Sequence, residues 1–479
     1  MRKIPLILLL TFLVFFFSLP LQAEEQPSLE EILSEIRALR AELREKDRRI
    51  QALEEEVRRL RAQMAEKARP AEKEAATARV EISPPVKRVT FGGQYRINSY
   101  SVHTHRKNLN ASRLRLRQNL DLVFSEAFRT HLQVELGHTP ANITKTEERL
   151  RVRHAVLTWA PRRDLSLEAG LLPLSDRAAE MLYSADWDYN PLALTLSYRN
   201  PYWGNFRLFA AQLNEGDEAL AHDDFLHYEL DWERPLSPNL TLSAFALYAE
   251  VAENYANPAG GPSSHTRPHL NYGLGLSFKP YEDLTLRAVL AGSFTDREIL
   301  GTPNDASGWL LRLEAEKTFP WGSASLLFTH ASGDSDGEGF LPIMALAGTY
   351  GYWGYTGILT VQGPTDTGFD DTAVNVSNNG YGLTTLQGRL RWRLADWAGL
   401  TLAAGWFGNT EAPGRDDLVG YDFLGMLTLR LHRYLTLDLG LDYAHLKDSV
   451  NGYESRDFNF APGKEEDKLA AFSRLQAEF

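Results

Sequence analysis

Residues 112–137 read SRLRLRQNLDLVFSEAFRTHLQVELG and alternate apolar with polar side chains on both sides of a short break at 125–127. A period of two places every second side chain of a β-strand on the same face. One face of this predicted hairpin is therefore rich in leucine, and the other carries arginine and further polar residues. A soluble β-sandwich would turn the leucines toward its core, whereas a transmembrane β-barrel would turn them toward lipid and the charges toward an aqueous lumen.

Composition narrows the class of protein. The chain has 479 residues, a formal net charge of −12 and no cysteine. Without cysteine the protein has no disulfides, no thiolate metal ligands and no lipid-modified cysteine. Beyond residue 20, no apolar run in the sequence reaches the length of about 20 residues that a transmembrane helix needs. The acidic balance argues against nucleic acid as a partner.

The first 23 residues have the features of a secretory signal peptide. Arg2 and Lys3 supply the positive start, 4–17 form the apolar stretch, and Leu-Gln-Ala at 21–23 is a suitable cleavage site. An uncleaved membrane anchor is the alternative, but the apolar stretch is short and acidic residues follow at once. We therefore expect cleavage and export to the cell envelope.

Residues 24–69 are predicted to form a periplasmic coiled-coil helix. Ser28 and Glu31 make a capping box near its start, and Pro70 ends it. Because a lone helix of this kind buries no apolar surface, we expect association with other copies of the chain. A homotrimer is expected, but Ile and Leu are mixed over both seam positions, so a dimer stays open, as does a solitary charged helix. The seam, with one charged member, consists of Leu29, Ile32, Ile36, Leu39, Leu43, Lys46, Ile50, Leu53, Val57, Leu60 and Met64.

A linker rich in proline, alanine and glutamate covers 70–87, and 88–479 then reads as eighteen consecutive strands. The link after each even-numbered strand is short. Most links after odd-numbered strands are longer and more polar, the longest being 251–268, 332–379 and 447–466. Short periplasmic turns that alternate with longer extracellular loops are typical of outer-membrane barrels. An even strand count also places both barrel ends at the periplasm, where the coiled coil must lie.

The end of the chain and its aromatic residues favour the same fold. The last strand carries Leu469, Leu475 and Phe479 on one face, and a closing strand that ends in an aromatic residue is similar to the terminal signal of bacterial outer-membrane proteins. We therefore predict a mainly β protein, a transmembrane antiparallel β-barrel of about 18 strands preceded by an α-helical coiled coil. It would contact the lipid and lipopolysaccharide of the bacterial outer membrane. The aromatic residues near strand ends, which fit interfacial collars, are Trp159, Tyr202, Trp203, Trp232, Tyr281, Trp321, Trp392, Trp397 and Tyr434.

Arginine recurs on the predicted lumen face of several strands. Residues i and i+2 of a strand point the same way, so arginines at this spacing form a column of guanidinium groups. One interpretation is a wall that guides anions, because arginine binds carboxylates in a bidentate fork. The other is a wall in which the arginines are paired with acids such as Glu135 and Glu314, which would leave little net electrostatic field in the lumen. The predicted pore-lining residues are Arg113, Arg115, Arg117, Arg287, Arg312, Arg389, Arg391 and Arg393.

The longest link, 332–379, combines acidic and aromatic residues. It contains Asp334, Asp336 and Glu338 in SGDSDGEGF, but the full calcium-loop motif is absent, so a solvated acidic tip is expected. The aromatic residues that follow, among them Trp353 and Tyr355, fit packing inside an ordered loop, which we expect. A constriction of the lumen or stacking on sugar rings are the alternatives.

The sequence contains no catalytic, cofactor-binding or metal-binding motif. It lacks G-x-S-x-G, H-E-x-x-H and a phosphate-binding glycine loop. His154, His222 and His227 have no partner at a diagnostic spacing and are expected to be ordinary polar residues. We therefore expect no enzymatic activity, no cofactor and no bound metal.

The barrel segment resembles bacterial porins and, more narrowly, is similar to the alginate-export family. The resemblance rests on RLRLR at 113–117, LRVRHA at 150–155, LEAG at 167–170 and SADWD at 184–188. It implies an eighteen-stranded barrel with an arginine-lined, anion-selective pore for acidic polysaccharide, to which the RLRLR arginines would belong. The N-terminal coiled coil departs from that family and is more similar to trimeric sugar porins of the sucrose type.

Passive transport across the outer membrane is the function that these features favour. The solutes would be small or polymeric anions, such as anionic sugars or polysaccharide. The alternative is an outer-membrane anchor, or tether, whose coiled coil contacts peptidoglycan or a periplasmic partner. An outer-membrane enzyme is a third and weaker hypothesis.

Overall fold

The computed structural model describes residues 86–104, 108–140, 150–185, 189–214, 224–251, 267–296, 304–347, 353–360, 374–378, 380–411, 417–447 and 466–479. All of them belong to the compact unit Pro84–Phe479. The predicted signal peptide and coiled coil, and nearly all of the linker, lie outside the described residues and stay predictions.

Eighteen strands follow one another along this unit. They are β1 (Arg88–Thr104), β2 (Asn108–Val123), β3 (Phe128–Pro140), β4 (Leu150–Arg162), β5 (Leu165–Leu171), β6 (Leu192–Asn200), β7 (Gly204–Asn214), β8 (Phe225–Ser237), β9 (Leu240–Val251), β10 (Arg267–Tyr281), β11 (Leu284–Thr295), β12 (Ala306–Phe319), β13 (Gly322–Ala331), β14 (Leu383–Ala395), β15 (Ala398–Asn409), β16 (Leu418–His432), β17 (Leu435–Leu446) and β18 (Glu466–Glu478). A short helix, α1 (Ile343–Ala347), lies between β13 and β14. No helix in the described ranges is long and apolar enough to cross a membrane.

The sheet closes into a barrel because β1 pairs antiparallel with both β2 and β18. All other strands pair with their sequence neighbours in one 18-stranded sheet. The prediction of an antiparallel barrel with this strand count is confirmed. The sequence alternation predicts strand ends within four residues of those observed. The largest difference is at β8, which the alternation predicts to cover 223–233 and which ends at Ser237. There the strand continues through a register shift next to Pro235, at the edge of the ladder where a missing N–H is tolerated.

Connections of two very different lengths distinguish the two ends of the barrel. The turn end carries the links after even-numbered strands, such as 163–164 and 282–283, and the loop end carries the others, which are longer except for the three-residue link 105–107. In outer-membrane barrels these ends face the periplasm and the exterior, respectively. The predicted alternation of short and long links is therefore present in the structure.

The outer face of the wall is apolar. On β10, Tyr272, Leu274, Leu276 and Tyr281 all point outward, and Leu274 exposes 62% of its surface. Such a continuous apolar exterior would be anomalous in water and fits a wall that faces lipid. A ring of exposed aromatic side chains, the turn-end collar, marks the lower edge of this surface: Phe91, Trp159, Tyr202, Trp203, Tyr281, Trp321, Trp392, Trp397, Tyr434 and Phe479.

The apolar core lies inside the barrel. Two links at the loop end, the third loop (172–191) and the seventh loop (332–382), place buried apolar side chains against the inner wall, among them Tyr183, Ile343 and Trp353. The two loops touch where the N–H of Met344 donates to the carbonyl of Leu182 at 3.1 Å. The lumen is therefore narrowed by two inner loops near its loop end.

A charge on the outer face should destabilise the barrel. Leu276→Arg, between the exposed Tyr272 and Tyr281 of β10, is expected to lower the free energy of unfolding in lipid vesicles by about 2–4 kcal/mol, because the guanidinium would enter hydrocarbon. The matched control is Thr241→Arg on the inner face of β9, where the loss should stay below about 1 kcal/mol. Denaturant titration of the vesicle-folded protein measures both, and equal losses would contradict the assignment of the faces.

Candidate functional site: the lumen and its inner loops

The arginine column of β2 lies on the inner face of the wall. Leu114 exposes 37% of its surface on the outer face, whereas Arg115 exposes 6%. The Nη2 of Arg115 donates to Oε1 of Gln94 on β1 at 2.7 Å, and the guanidinium of Arg113 lies 5.6 Å from the ring centroid of Tyr100. The structure thus places Arg113 and Arg115, with Arg117 next in the alternation, on the inner face of the wall. That they line a conducting pore stays a prediction.

Three arginines share one buried carboxylate next to this column. Nε of Arg117 lies 2.5 Å from Oε2 of Glu135, and Nη2 of Arg151 lies 2.5 Å from its Oε1. Nε of Arg153 is 3.8 Å from Oε2 of the same glutamate. A single negative charge cannot neutralise three guanidinium groups, so this cluster keeps a positive charge.

The inner faces of β1 to β4 together form a basic arc. Two carboxylates lie on the described part of this arc, Asp121 and Glu135, and Asp121 is engaged by Nδ1 of His131 at 2.8 Å. Eight arginines against two carboxylates leave an excess of six positive charges. A low-dielectric wall concentrates such a field in the lumen beside it. The arginines of the arc are Arg88, Arg96, Arg113, Arg115, Arg117, Arg129, Arg151 and Arg153.

Two other predicted pore-lining arginines sit among acids. Nη1 of Arg287 on β11 lies 3.5 Å from Glu314 and 3.6 Å from Glu316. Nη2 of Arg312 lies 3.1 Å from the same Glu314, and its Nη1 donates to the carbonyl of Trp353 in the seventh loop at 2.8 Å. At these two arginines the interpretation as a wall of arginine–acid pairs applies, because their charges are paired and Arg312 also holds the seventh loop.

The arginines of β14 follow the barrel from the seventh loop to the turn end. The guanidinium of Arg389 lies over the ring of Tyr355, 4.0 Å from its centroid. Arg391 is exposed and lines a cavity of about 740 Å³ at the turn end. Arg393 donates from Nη2 to the carbonyl of Pro320 at 2.6 Å, so it lies at the mouth of the barrel.

The third loop is organised around one buried carboxylate, that of Asp176. Its two oxygens accept hydrogen bonds from the backbone N–H groups of Ala178, Glu180, Leu182 and Tyr183, at 2.5–3.0 Å. Two consecutive non-glycine residues, at 179 and 180, have φ values of 61° and 62°. Such backbone is unfavourable by itself, and the four hydrogen bonds stabilise it. Burial raises the pKa of the Asp176 carboxyl to about 6, against the N–H donors, which lower it.

The third loop covers acidic groups of β8. The hydroxyl of Tyr183 donates to Oε2 of Glu229 at 2.8 Å, and the hydroxyl of Tyr189 lies 2.5 Å from Nδ1 of His227. Arg207 on β7 forms a short ion pair with Asp231 and also donates to a carbonyl of the loop, that of Ser175, at 3.0 Å. Glu229 and Asp231 are 1% exposed and therefore lie behind the loop rather than in the open lumen.

The seventh loop is attached to the wall at widely separated strands. Asn271 on β10 donates to the carbonyl of Leu341 at 2.8 Å and accepts from the N–H of Ile343 at 3.0 Å. Asp422 on β16 accepts with Oδ2 from the N–H groups of Ile358 and Leu359, at 3.1 and 2.6 Å. Between them the indole of Trp353 is buried. The loop therefore crosses the lumen, and the expected packing of its aromatic residues also produces a constriction.

Sequence reasoning missed the residues that hold the loops. Asp176 and Asp422 were not singled out, and Asn271 was not considered. For Asp422 a signal was available, because it occupies an inner-face position in a strand that the sequence predicts at 418–432. Its loop partners, more than sixty positions away, could not be found from local pattern.

Solved structures with a similar barrel are Pseudomonas aeruginosa OpdL and OccK11 (OpdR) and Acinetobacter baumannii OccAB1. OpdL is 11% identical with a TM-score of 0.53, and covers 82% of this chain and 99% of its own. OccK11 is 13% identical with a TM-score of 0.51, and the match covers 82% of this chain and 96% of OccK11. OccAB1 is 8% identical with a TM-score of 0.53, and the match covers 82% of this chain and 97% of OccAB1.

These neighbours are outer-membrane β-barrel porins, and the chain shares their fold. No protein-family model and no curated protein sequence matches the chain. The similarity to the alginate-export family stays a prediction. Of its motif SADWD, the residues 186–188 lie outside the described part of the chain.

Loosening the seventh loop should widen the pathway. Asp422→Ala removes the acceptor of two buried N–H groups, each of which then costs about 1–3 kcal/mol. We expect larger and noisier single-channel conductance in planar bilayers, together with faster proteolysis within 332–382. The control is Asp438→Ala, which breaks the 2.9 Å ion pair with Arg474 on the neighbouring strands. If both variants behaved alike, the conclusion that Asp422 holds the seventh loop against the wall would be wrong.

Proposed function

We propose that this protein is an outer-membrane channel for the passive diffusion of anionic solutes. The observation that carries the proposal is the basic arc, in which eight arginines face two carboxylates. The arc faces the aqueous lumen that a barrel of this size encloses. The apolar outer face and the turn-end collar support residence in a lipid bilayer.

The arc is suited to carboxylates. Arginine guanidinium groups bind carboxylates through two parallel hydrogen bonds, and a column of them offers several weak sites in succession. Conduction needs binding that is favourable enough for a solute to enter and that is spread over several weak sites, so that the solute can also leave. Arg113 and Arg117 are partly exposed, and with the buried Arg115 between them they form such a series along β2.

The inner loops favour small solutes over polymers. The contact between Leu182 and Met344 joins the third and seventh loops across the lumen. A flexible polysaccharide would have to pass this constriction in extended form, whereas a small anion needs only a gap beside it. Among the predicted solutes, the geometry therefore supports small anions, including anionic sugars, better than acidic polysaccharide.

The tether hypothesis depends on the coiled coil at 24–69. That segment lies outside the described residues, and within the described part of the barrel no contact favours the tether over the channel. It stays the alternative prediction.

Removing the β2 column should weaken anion preference. We expect the Arg113→Ala, Arg115→Ala, Arg117→Ala triple variant to shift the reversal potential in a KCl gradient toward zero, because three of the eight arc arginines are lost. The matched control is Arg287→Ala, whose charge is already paired with Glu314 and Glu316. Cation preference in the unmodified protein would overturn the proposal.

Removing the shared carboxylate should have the opposite effect. Glu135→Gln keeps the size of the side chain and leaves Arg117, Arg151 and Arg153 without their common negative charge. We expect the reversal potential to move further toward the equilibrium potential of chloride. Because both arc variants alter the same wall with opposite signs, a loss of folding alone cannot reproduce the pair of results. A shift of both variants in the same direction would contradict the role of the arc.

A further inference from the structure

The seventh loop is attached to the wall at a buried group of charged side chains on three neighbouring strands. Asp422 on β16, Asp442 on β17 and Lys468 on β18 each have 0% of their surface exposed. In the ladder, Ala444 lies opposite both Asp422 and Lys468, and Asp442 lies two residues before Ala444 on the same face. Buried charged groups need partners within the protein, so each polar atom of this group requires one.

One carboxylate oxygen of this group has its partners in the loop. Oδ2 of Asp422 accepts hydrogen bonds from the N–H groups of Ile358 and Leu359, at 3.1 and 2.6 Å. The other oxygen of Asp422 and both oxygens of Asp442 have no hydrogen-bond partner of good geometry among the described residues. The two carboxyl groups contact each other. Buried acceptor oxygens therefore meet at a point where a donor is needed.

A proton shared by the two carboxyl groups supplies that donor. Two ionised carboxylates in contact at a buried site repel each other, so that both do not ionise together. A protonated carboxyl has an O–H group that donates to the neighbouring carboxylate, and the repulsion is then replaced by a hydrogen bond. The positive charge of Lys468 acts on Asp442 and stabilises the one negative charge that remains. The geometry therefore fits a pair that carries one proton.

The surroundings leave this pair few other ways to adjust its charge. The loop contributes the N–H groups of Ile358 and Leu359 and the hydroxyl of Thr356, which do not titrate in the ordinary range. Among the described residues, Lys468 is the charged group that acts on the pair from the wall. The inner positions that flank the pair on β15 to β18 are uncharged: Gly405, Leu424, Gly440, Ala444 and Ala470.

We propose that Asp422 and Asp442 share one proton, that this pair holds the seventh loop in the lumen, and that loss of the proton at high pH releases the loop. In the released state both carboxyl groups meet water and ionise separately, so the held state binds one proton more. The equilibrium therefore shifts toward release as the pH rises, by at most about tenfold per pH unit for one proton. Widening of the solute path by this release rests on the proposed transport function, whereas the release itself does not.

A cysteine in the loop measures the release, because the chain has no cysteine of its own. Ile358→Cys keeps the backbone N–H that donates to Asp422 and places the thiol at a side-chain position that is 0% exposed. The full-length variant, folded in lipid vesicles, is treated with a small water-soluble methanethiosulfonate from about pH 5 to about pH 9. Ser335→Cys, at an exposed position of the same loop, corrects for the ionisation of the thiol itself. We expect the corrected labelling rate to rise with pH, by up to about tenfold per unit.

Asp442→Asn removes the titration and keeps the hydrogen bond. Its amide has the size of the carboxyl group and donates a permanent N–H to Asp422, so the corrected labelling rate should stay low at every pH. The matched control on the same strand is Asp438→Asn, because Asp438 accepts from the hydroxyl of Thr428 and pairs with Arg474 at 2.9 Å. This control should keep the full pH dependence of the parent.

Conductance in planar bilayers gives a second measurement. Current noise should grow with pH in the parent and in Asp438→Asn, and it should stay constant in Asp442→Asn. Labelling needs no current, so a protein that releases the loop without conducting would contradict the proposed transport and leave the shared proton in place.

Three outcomes would overturn the proposal. They are a corrected labelling rate that does not change with pH in the parent, a pH dependence that persists in Asp442→Asn, and a pH dependence that is lost equally in Asp438→Asn. If Asp442→Asn does not fold, Asp422→Asn takes its place. Its amide oxygen still accepts from the loop N–H groups and its amide N–H donates to Asp442, so the same flat pH profile is expected.

Discussion

Every backbone group of a strand in lipid must find its partner within the protein, because hydrocarbon offers neither donors nor acceptors. The contact between the first and last strands meets this requirement. Gly93 and Phe479 exchange two backbone hydrogen bonds of 2.8 and 3.1 Å, and the ladder continues from Gln94 to Thr104. Once the sheet is closed, one face of each strand meets lipid and the other meets the lumen. The positions of the charged residues on the described strands follow from this division.

The inner loops obey the same rule on a smaller scale. A loop buried in the lumen exposes N–H and carbonyl groups that lack water as a partner. Side chains of the wall and of the loop itself take that role, as Asp422 does for Ile358 and Leu359 and Asp176 for the third loop. Charged residues of the lumen therefore divide into those that hold a loop, such as Arg312, and those that face the solute path, such as Arg391.

This division explains how far the sequence could be interpreted. Strands were predictable because a period of two is local, and the inner position of Arg113 and Arg115 followed from it. The ion-pair partner of a given arginine was not predictable, because Glu135 contacts three guanidinium groups on two different strands. Loop packing was the least accessible part, since the contact between Asn271 and Ile343 joins positions 72 residues apart. Local pattern carries no information about such a contact.

The same reasoning separates the charge of the chain from the charge of the pathway. The net charge of −12 sums groups that lie far beyond the screening length of about 8–10 Å at moderate ionic strength, so it does not describe the lumen. The third loop covers Glu229 and Asp231, and the seventh loop covers Asp422, so these acids are withdrawn from the water-filled path. The arginines of the basic arc have few acids to oppose them. On the proposal of an anion channel, the folding of the loops lowers the acidic charge that a solute meets, because a barrel with the same strands but displaced loops would expose these three acids.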